Sequence, residues 1–342
     1  MNVSFHRLAL ALVPLVLSLA ADSAFAQDAR RPRRAVVLSG GGAAASVQVG
    51  MLKGLVQRRG FDFEIIRGTS SGAFNGAFLA QAPRDADSAR SQAHLSSEVA
   101  HLEQVWLDLR GNRDLYRKRF LGSLGAGLFG SSSIYSPRPT DRLAKRELAV
   151  DAMIRSGRDF KISTTRLEDG AVEEWAPSAP DFFVRLRGSA AAPALFPPTR
   201  PTGDATPITL VDGGLRTFAP VKSALDAGAD EVYVLLTHPI DPATGSTVEP
   251  TSHRKWRHAS ATALLARSVD ILTDQVLRGD LRDAAERPGV RVYLLAPRTP
   301  FPGEPPSLNF DPEAIRAAMA QGYEVATREP LPLVRADSLT SR

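Results

Sequence analysis

The chain contains no cysteine at all. That excludes a disulfide framework, a thiolate metal site and the modified cysteine of a lipoprotein anchor. Histidine is scarce too, with six in 342 residues. His94 and His101 are too far apart for one helical turn, and His253 and His258 lack the i, i+4 spacing of a helical metal pair. Long apolar runs are also missing. The run Leu8 to Ala21 is broken by Pro14 and short for a membrane span, which disfavours a retained anchor. It follows Arg7 and precedes Ala24-Phe25-Ala26, a small-x-small cleavage site, so residues 1–26 read as a secretory signal peptide. The mature protein is then expected in the periplasm or outside the cell, opening on a basic, flexible leader over residues 27–34.

Against these absences, one short stretch carries chemistry. Gly68-Thr69-Ser70-Ser71-Gly72 has the G-x-S-x-G spacing of a nucleophile elbow, in which a serine sits on a sharp turn between a strand and a helix. The flanks agree with that context. Phe63, Ile65 and Ile66 form a strand-like apolar run upstream, while Phe74, Ala77, Phe78 and Leu79 give an apolar helical face downstream. Ser70 is the candidate nucleophile.

Two further motifs accompany it. Ser39-Gly40-Gly41-Gly42 follows the apolar run Ala35 to Leu38 and opens a segment whose Ala45, Val49, Leu52 and Val56 repeat at helical spacing. A glycine loop at a helix start presents free backbone N–H groups and the positive end of the helix dipole, so Gly40, Gly41 and Gly42 are candidate oxyanion-hole residues. Asp212-Gly213-Gly214 follows Ile208 to Val211 and sets a carboxylate at the end of a strand. A serine hydroxyl needs a base within hydrogen-bond reach, and Asp212 is the one on offer. The chemistry expected is an acyl-enzyme, with negative charge on the carbonyl oxygen met by the loop N–H groups. No metal or cofactor is required.

In the order glycine loop, G-x-S-x-G and D-G-G, these motifs resemble the patatin-like phospholipase family. Arg187 to Pro198 is similar to the block that precedes the family's aspartate, and Leu308 to Asp311 onward to Gly322 is similar to bacterial members. The resemblance implies a three-layer α/β sandwich with a mostly parallel central sheet. It also implies a Ser-Asp dyad without histidine, matched by Ser70 and Asp212, with Gly68, Gly72, Gly213 and Gly214 supporting the two turns and a lipid or other carboxylic ester as substrate. Ser189 and Pro193 fall in the wall beside the site. One departure stands out: Ala44 occupies the position where the family has an arginine or lysine. A catalytically impaired, lipid-binding or interaction protein is the alternative that this departure opens.

A rival reading takes Gly40-x-Gly42-x-x-Ala45 as a relaxed dinucleotide-binding fingerprint, with Asp62 or Glu64 on a ribose. It leaves the serine elbow and D-G-G unexplained. The fold class is α/β: strand candidates Ala35–Leu38, Phe63–Ile66, Phe160–Ser163, Ile208–Val211, Val232–Leu236 and Val290–Leu295 alternate with helical segments, the last being Pro312–Ala326. They are expected to form one domain over 35–335, with the motif-bearing core at 35–240 and a C-terminal strand and helices at 253–330. Asp241 to Ser252 and Pro297 to Pro306 read as surface loops, and no internal repeat is evident.

The net charge is +5, which favours anionic surfaces without naming one. Arg110, Arg113, Arg117, Lys118 and Arg119 lead into the apolar, glycine-rich stretch Phe120–Gly130. This reads either as a lid docking on an anionic membrane surface or as a solvated helix followed by a buried connector. Trp256, between His253 and His258, permits a similar interfacial reading. No nucleic-acid recognition motif accompanies the charge. His238, just past Val232–Leu236, reads as a hydrogen-bonding loop residue.

Overall fold

The computed structural model describes residues 31–119, 133–240, 246, 257, 261–285, 287, 289–303 and 308–333. The chain divides into two units, Met1–Pro32 and Arg33–Arg342. The first lies almost wholly outside the described residues, as do the signal-peptide segment, Phe120–Gly130, His253 to Trp256, His258 and nearly all of Asp241–Ser252.

The second unit is built on a sheet in the order β6-β5-β2-β1-β8-β9. Its strands are β1 (Arg34–Leu38), β2 (Ile65–Thr69), β5 (Asp159–Arg166), β6 (Val172–Trp175), β8 (Glu231–Leu235) and β9 (Arg291–Leu295), while β7 (Leu210–Asp212) pairs with β5 off this path. A two-residue ribbon, β3 (Arg117–Lys118) with β4 (Tyr135–Ser136), stands apart. Strands β5, β2, β1, β8 and β9 are parallel, and β6 and β7 run antiparallel to β5. Inner parallel strands are covered on both faces, hence the nearly continuous burial of Arg34-Ala35-Val36-Val37-Leu38 and Ile65-Ile66-Arg67-Gly68-Thr69.

The period-two alternation of β1 divides the core. Val36 and Leu38 point into a cluster formed with α1 (Ser46–Leu52), α2 (Ser71–Leu79), α3 (Ser88–Leu107), α4 (Arg138–Glu147), α5 (Val150–Arg155), α6 (Phe182–Ser189) and α9 (Pro312–Thr327). Ala35 and Val37 point into a second cluster with α7 (Val221–Asp226) and with Leu277 and Leu281 of α8 (Ala261–Ala285). Helices therefore cover both faces of a mostly parallel sheet, a three-layer α/β sandwich.

Some boundaries differ from the sequence reading. β2 begins later and runs on through Arg67, a charged residue that hides the strand. Its guanidinium is buried yet satisfied by Ser223 Oγ, Ile66 O and Asp159. β6, with a lone valine and tryptophan around two glutamates, has no apolar run to betray it. At the leader, Arg34 already opens β1 and pairs with Glu231, and Arg33 pairs with Glu64 while its N–H donates to Asp230. Those two residues are part of the folded unit, because each basic side chain finds a carboxylate there.

Candidate functional site

β2 ends at Thr69 and α2 begins at Ser71, so the turn between them is Ser70 alone, at φ 55° and ψ −126°. That left-handed backbone costs a non-glycine residue on the order of 1–3 kcal/mol. A relay holds it in place: Ser70 N–H donates to Ser189 Oγ at 2.9 Å, and Ser189 Oγ–H donates to Ser163 O at 2.7 Å. The turn also needs bare neighbours. A Cβ on Gly72 would lie 2.3 Å from Leu38 O, and one on Gly68 would lie 2.6 Å from Gly72 O.

Asp212 arrives from the opposite chain direction. On one edge of β5, Asp159–Ser163 pair with β2 and Thr164–Arg166 pair with β7; β6 takes the other edge. β2 running one way and β7 running the other thus meet end to end, with Thr69 opposite Ser163 and Asp212 opposite Thr164. Ser70 Oγ–H donates to Asp212 Oδ2 at 2.8 Å, and Gly214 N–H donates to Oδ1 at 2.8 Å. Gly213 has no room for a side chain, since a Cβ there would lie 2.4 Å from Ser163 O. Burial raises the Asp212 pKa to about 6, outweighing the Gly214 and Ser70 hydrogen bonds that favour its anion.

The glycine loop is adjacent, because a Cβ on Gly40 would come within 3.3 Å of Ser70 Cβ. Of the three candidate donors, Gly40 is withdrawn: its N–H donates to Phe218 O at 3.1 Å. The N–H groups of Gly41 and Gly42 have no acceptor among the described residues. Thr237 fixes the loop from behind, donating from Oγ1 to Gly40 O at 2.6 Å, and would be struck at 2.3 Å by a Cβ on Gly41, whose φ is 152°. A buried amide chain completes the support. Trp106 Nε1 donates to Asn75 Oδ1, Asn75 Nδ2 to Gln48 Oε1 and Ala45 O, and Gln48 Nε2 to Ser39 O and Leu235 O. Sequence reasoning missed Gln48, Asn75 and Thr237 because polar residues inside apolar helical or strand patterns give no signal until their partners are known. Ser189 was placed beside the site without its function as the anchor of Ser70.

The other sequence candidates lie elsewhere or behave differently. Glu64 pairs with Arg33 and Arg84, and Asp62 pairs with Arg158 and accepts from Ser91. Both precede β2, at the sheet edge opposite the glycine loop, so neither can serve a ribose there. His238 bonds Thr237 Oγ1 through Nδ1 and packs on Phe218, and burial lowers its pKa to about 4, leaving it neutral. The basic stretch from Arg110 to Arg119 is a 3₁₀ turn and then β3, not a helix. Ala44 is 1% exposed and faces a cleft of about 90 Å³ lined by Val47, Thr237, Phe301, Ala314 and Ala318. Among the described residues no cluster of His, Asp and Glu could hold a metal ion.

A strained serine hydrogen-bonded to a desolvated carboxylate, beside two free main-chain N–H groups, can carry out nucleophilic acyl transfer. A family model described as patatin-like phospholipase matches residues 36–225, a span that includes Ser70, Asp212 and the glycine loop. Among solved structures, VipD from Legionella pneumophila is similar at 13% identity and a TM-score of 0.37, covering 86% of this chain. The chain spans 66% of the length of VipD. No curated protein matches the sequence.

Proposed function

From the premise that this chain belongs to the patatin-like phospholipase family, we propose that it is a lipid acyl hydrolase in which Ser70 is the nucleophile and Asp212 the base. The 2.8 Å hydrogen bond from Ser70 Oγ to Asp212 Oδ2 carries this reading. As Ser70 Oγ attacks the ester carbonyl carbon, its proton passes to Asp212, and the carbonyl oxygen becomes an oxyanion facing the Gly41 and Gly42 N–H groups. Collapse expels the alcohol, which takes the proton from Asp212 and leaves an acyl-Ser70. Water then attacks that ester, giving its proton to Asp212, and the fatty acid departs as Ser70 recovers the proton. The strain at Ser70 is compatible with this chemistry because the relay through Ser189 fixes the backbone while leaving Oγ to the base.

Hydrolysis of short- and long-chain p-nitrophenyl esters by the purified protein, beside Ser70→Ala and Asp212→Asn, tests the proposal. Turnover by wild type and its near-complete loss in both variants is expected. A folded wild type inactive on these esters and on phospholipid vesicles would instead favour the catalytically impaired, lipid-binding alternative that Ala44 raises. The sequence-based placement in the periplasm or outside the cell belongs to the same proposal. Fractionation of the native host, with the mature N-terminus read by mass spectrometry and expected at Gln27, tests it.

A further inference from the structure

The stretch that follows the Asp212 turn closes on itself and is then tied to α8. Gly213 O accepts the N–H groups of Arg216 and Thr217 at 2.9 Å each. Asp280, on α8, takes the next donors along the chain: its Oδ1 accepts Thr217 Oγ1–H at 3.0 Å, and its Oδ2 accepts the Phe218 and Ala219 N–H groups at 2.8 Å each. Donors from consecutive residues thus converge on one carboxylate. That grip fixes where the Phe218 carbonyl and ring stand.

Phe218 in turn spans the two halves of the site. Its carbonyl oxygen accepts the Gly40 N–H at 3.1 Å. Its ring fills the gap between the glycine loop and the D-G-G turn, since a Cβ on Gly40 would meet Cε2 at 3.0 Å and a Cβ on Gly214 would meet Cδ2 at 3.5 Å. Gly214 is also the residue whose N–H holds Asp212 Oδ1. Other tethers of the loop run elsewhere: Thr237 Oγ1 holds Gly40 O from the end of β8, and Gln48 Nε2 holds Ser39 O from α1. The tie through Phe218 therefore sets the glycine loop against the turn that carries Asp212. The loop needs such a tie, because Gly41 and Gly42, at φ 152° and 58°, have no side chains of their own to wedge them in place.

We infer that Asp280 is a positioning residue for the oxyanion hole: through Phe218 it fixes Gly40, and so holds the Gly41 and Gly42 N–H groups in register with Ser70 and Asp212. The inference rests on the hydrolase reading above. Asp280 reaches Gly40 through one hydrogen bond to Phe218 N–H and a second from Gly40 N–H to Phe218 O, so it acts on geometry. Removing its carboxylate strips the Phe218 and Ala219 N–H groups and the Thr217 hydroxyl of this acceptor. Phe218 is then free to drift, and the loop donors no longer meet the oxyanion where it forms. Asparagine can replace most of the grip, its Oδ1 accepting both N–H groups and its Nδ2 donating to Thr217 Oγ1, whose hydroxyl turns to accept.

The test compares wild type, Asp280→Ala and Asp280→Asn on a soluble short-chain p-nitrophenyl ester, with Ser70→Ala as the blank and folding followed by thermal melting. In folded Asp280→Ala, kcat should fall roughly 10- to 100-fold with KM changed by less than about twofold, and Asp280→Asn should restore most of the rate. Inhibition by a trifluoromethyl ketone, whose adduct with Ser70 places an oxyanion in the hole, should weaken in parallel with kcat. The ionisation near pH 6 should stay where it is, since the Asp212 carboxylate keeps its own partners. A folded Asp280→Ala with wild-type kcat overturns the proposal. So does a lost rate with undiminished ketone affinity, a shifted ionisation, or a loss as deep in Asp280→Asn. If Asp280→Ala does not fold, Asp280→Glu, which keeps the acceptor but moves it by one methylene, decides by the same readouts. A wild type whose turnover matches the Ser70→Ala blank removes the hydrolase reading as well, whereas failures confined to the Asp280 variants remove this inference alone.

Discussion

Asp212 holds Ser70 through one carboxylate oxygen, Oδ2, at 2.8 Å, and its other oxygen accepts the Gly214 N–H at 2.8 Å. Among the described residues no cation pairs with this carboxylate, so desolvation prevails and burial pushes its pKa up to about 6. A protonated Asp212 cannot accept the Ser70 proton. We therefore expect kcat/KM on a soluble ester to rise with pH through a single ionisation near pH 6 and then level off. A rising limb below pH 5 would remove Asp212 as a desolvated base.

The same shift has an opposite consequence for stability. The carboxyl is harder to ionise in the folded state than in the unfolded chain, whose ordinary value is 3.8. Ionisation thus costs the fold nothing below about pH 4, progressively more between about 4 and 6, and a constant amount above, about 1–3 kcal/mol. Asp212→Asn, which can still accept from Gly214 N–H, should therefore melt higher than wild type at pH 8, and the difference should vanish at pH 4. Equal melting temperatures at pH 8 would show that the site does not store this cost.

The chemistry at this edge was legible in the sequence because each part announces itself locally. Ser70 lies between glycines, Gly40 to Gly42 follow a run of buried aliphatics, and Asp212 precedes two glycines. The way the parts meet was not legible. β7 is a three-residue antiparallel strand, and its abutment on β2 depends on β5 being longer than β2, a property of pairing across a hundred residues. Donor accounting also had to wait, since the Gly40 N–H is spent on Phe218, more than 170 positions away. The seating of α8 against the site was equally hidden, because it rests on the Asp280 side chain accepting the main-chain N–H groups of Phe218 and Ala219.

Ser189 offers a test of how the elbow is held. Its hydroxyl links Ser70 N–H to Ser163 O at 2.9 and 2.7 Å, and it is fully buried. In Ser189→Ala both groups lose their partner, and the strain at Ser70 is no longer opposed. We expect destabilisation of about 1–3 kcal/mol in urea unfolding and a fall in kcat of roughly 10- to 100-fold with KM little changed. A variant destabilised by that amount but with wild-type kcat would confine Ser189 to folding.

Ala44 asks whether the basic residue common in the family can be restored here. Its side chain is buried against α9, with Ala314, Ala318 and Phe301 lining a cleft of only about 90 Å³. A guanidinium placed there has no carboxylate among those neighbours, and its stem must displace them. The expected result for Ala44→Arg is destabilisation of about 1–3 kcal/mol or more from overpacking, with added cost for the unpaired charge. Phospholipid hydrolysis should fall, because the strained segment is the 3₁₀ turn that begins at Gly42. Differential scanning fluorimetry and vesicle hydrolysis, measured side by side with Ala44→Ser as a volume control, would check both effects. An Ala44→Arg protein as stable as wild type and more active on vesicles would mean that the loop keeps room for the charge, and that its absence alone limits the wild type.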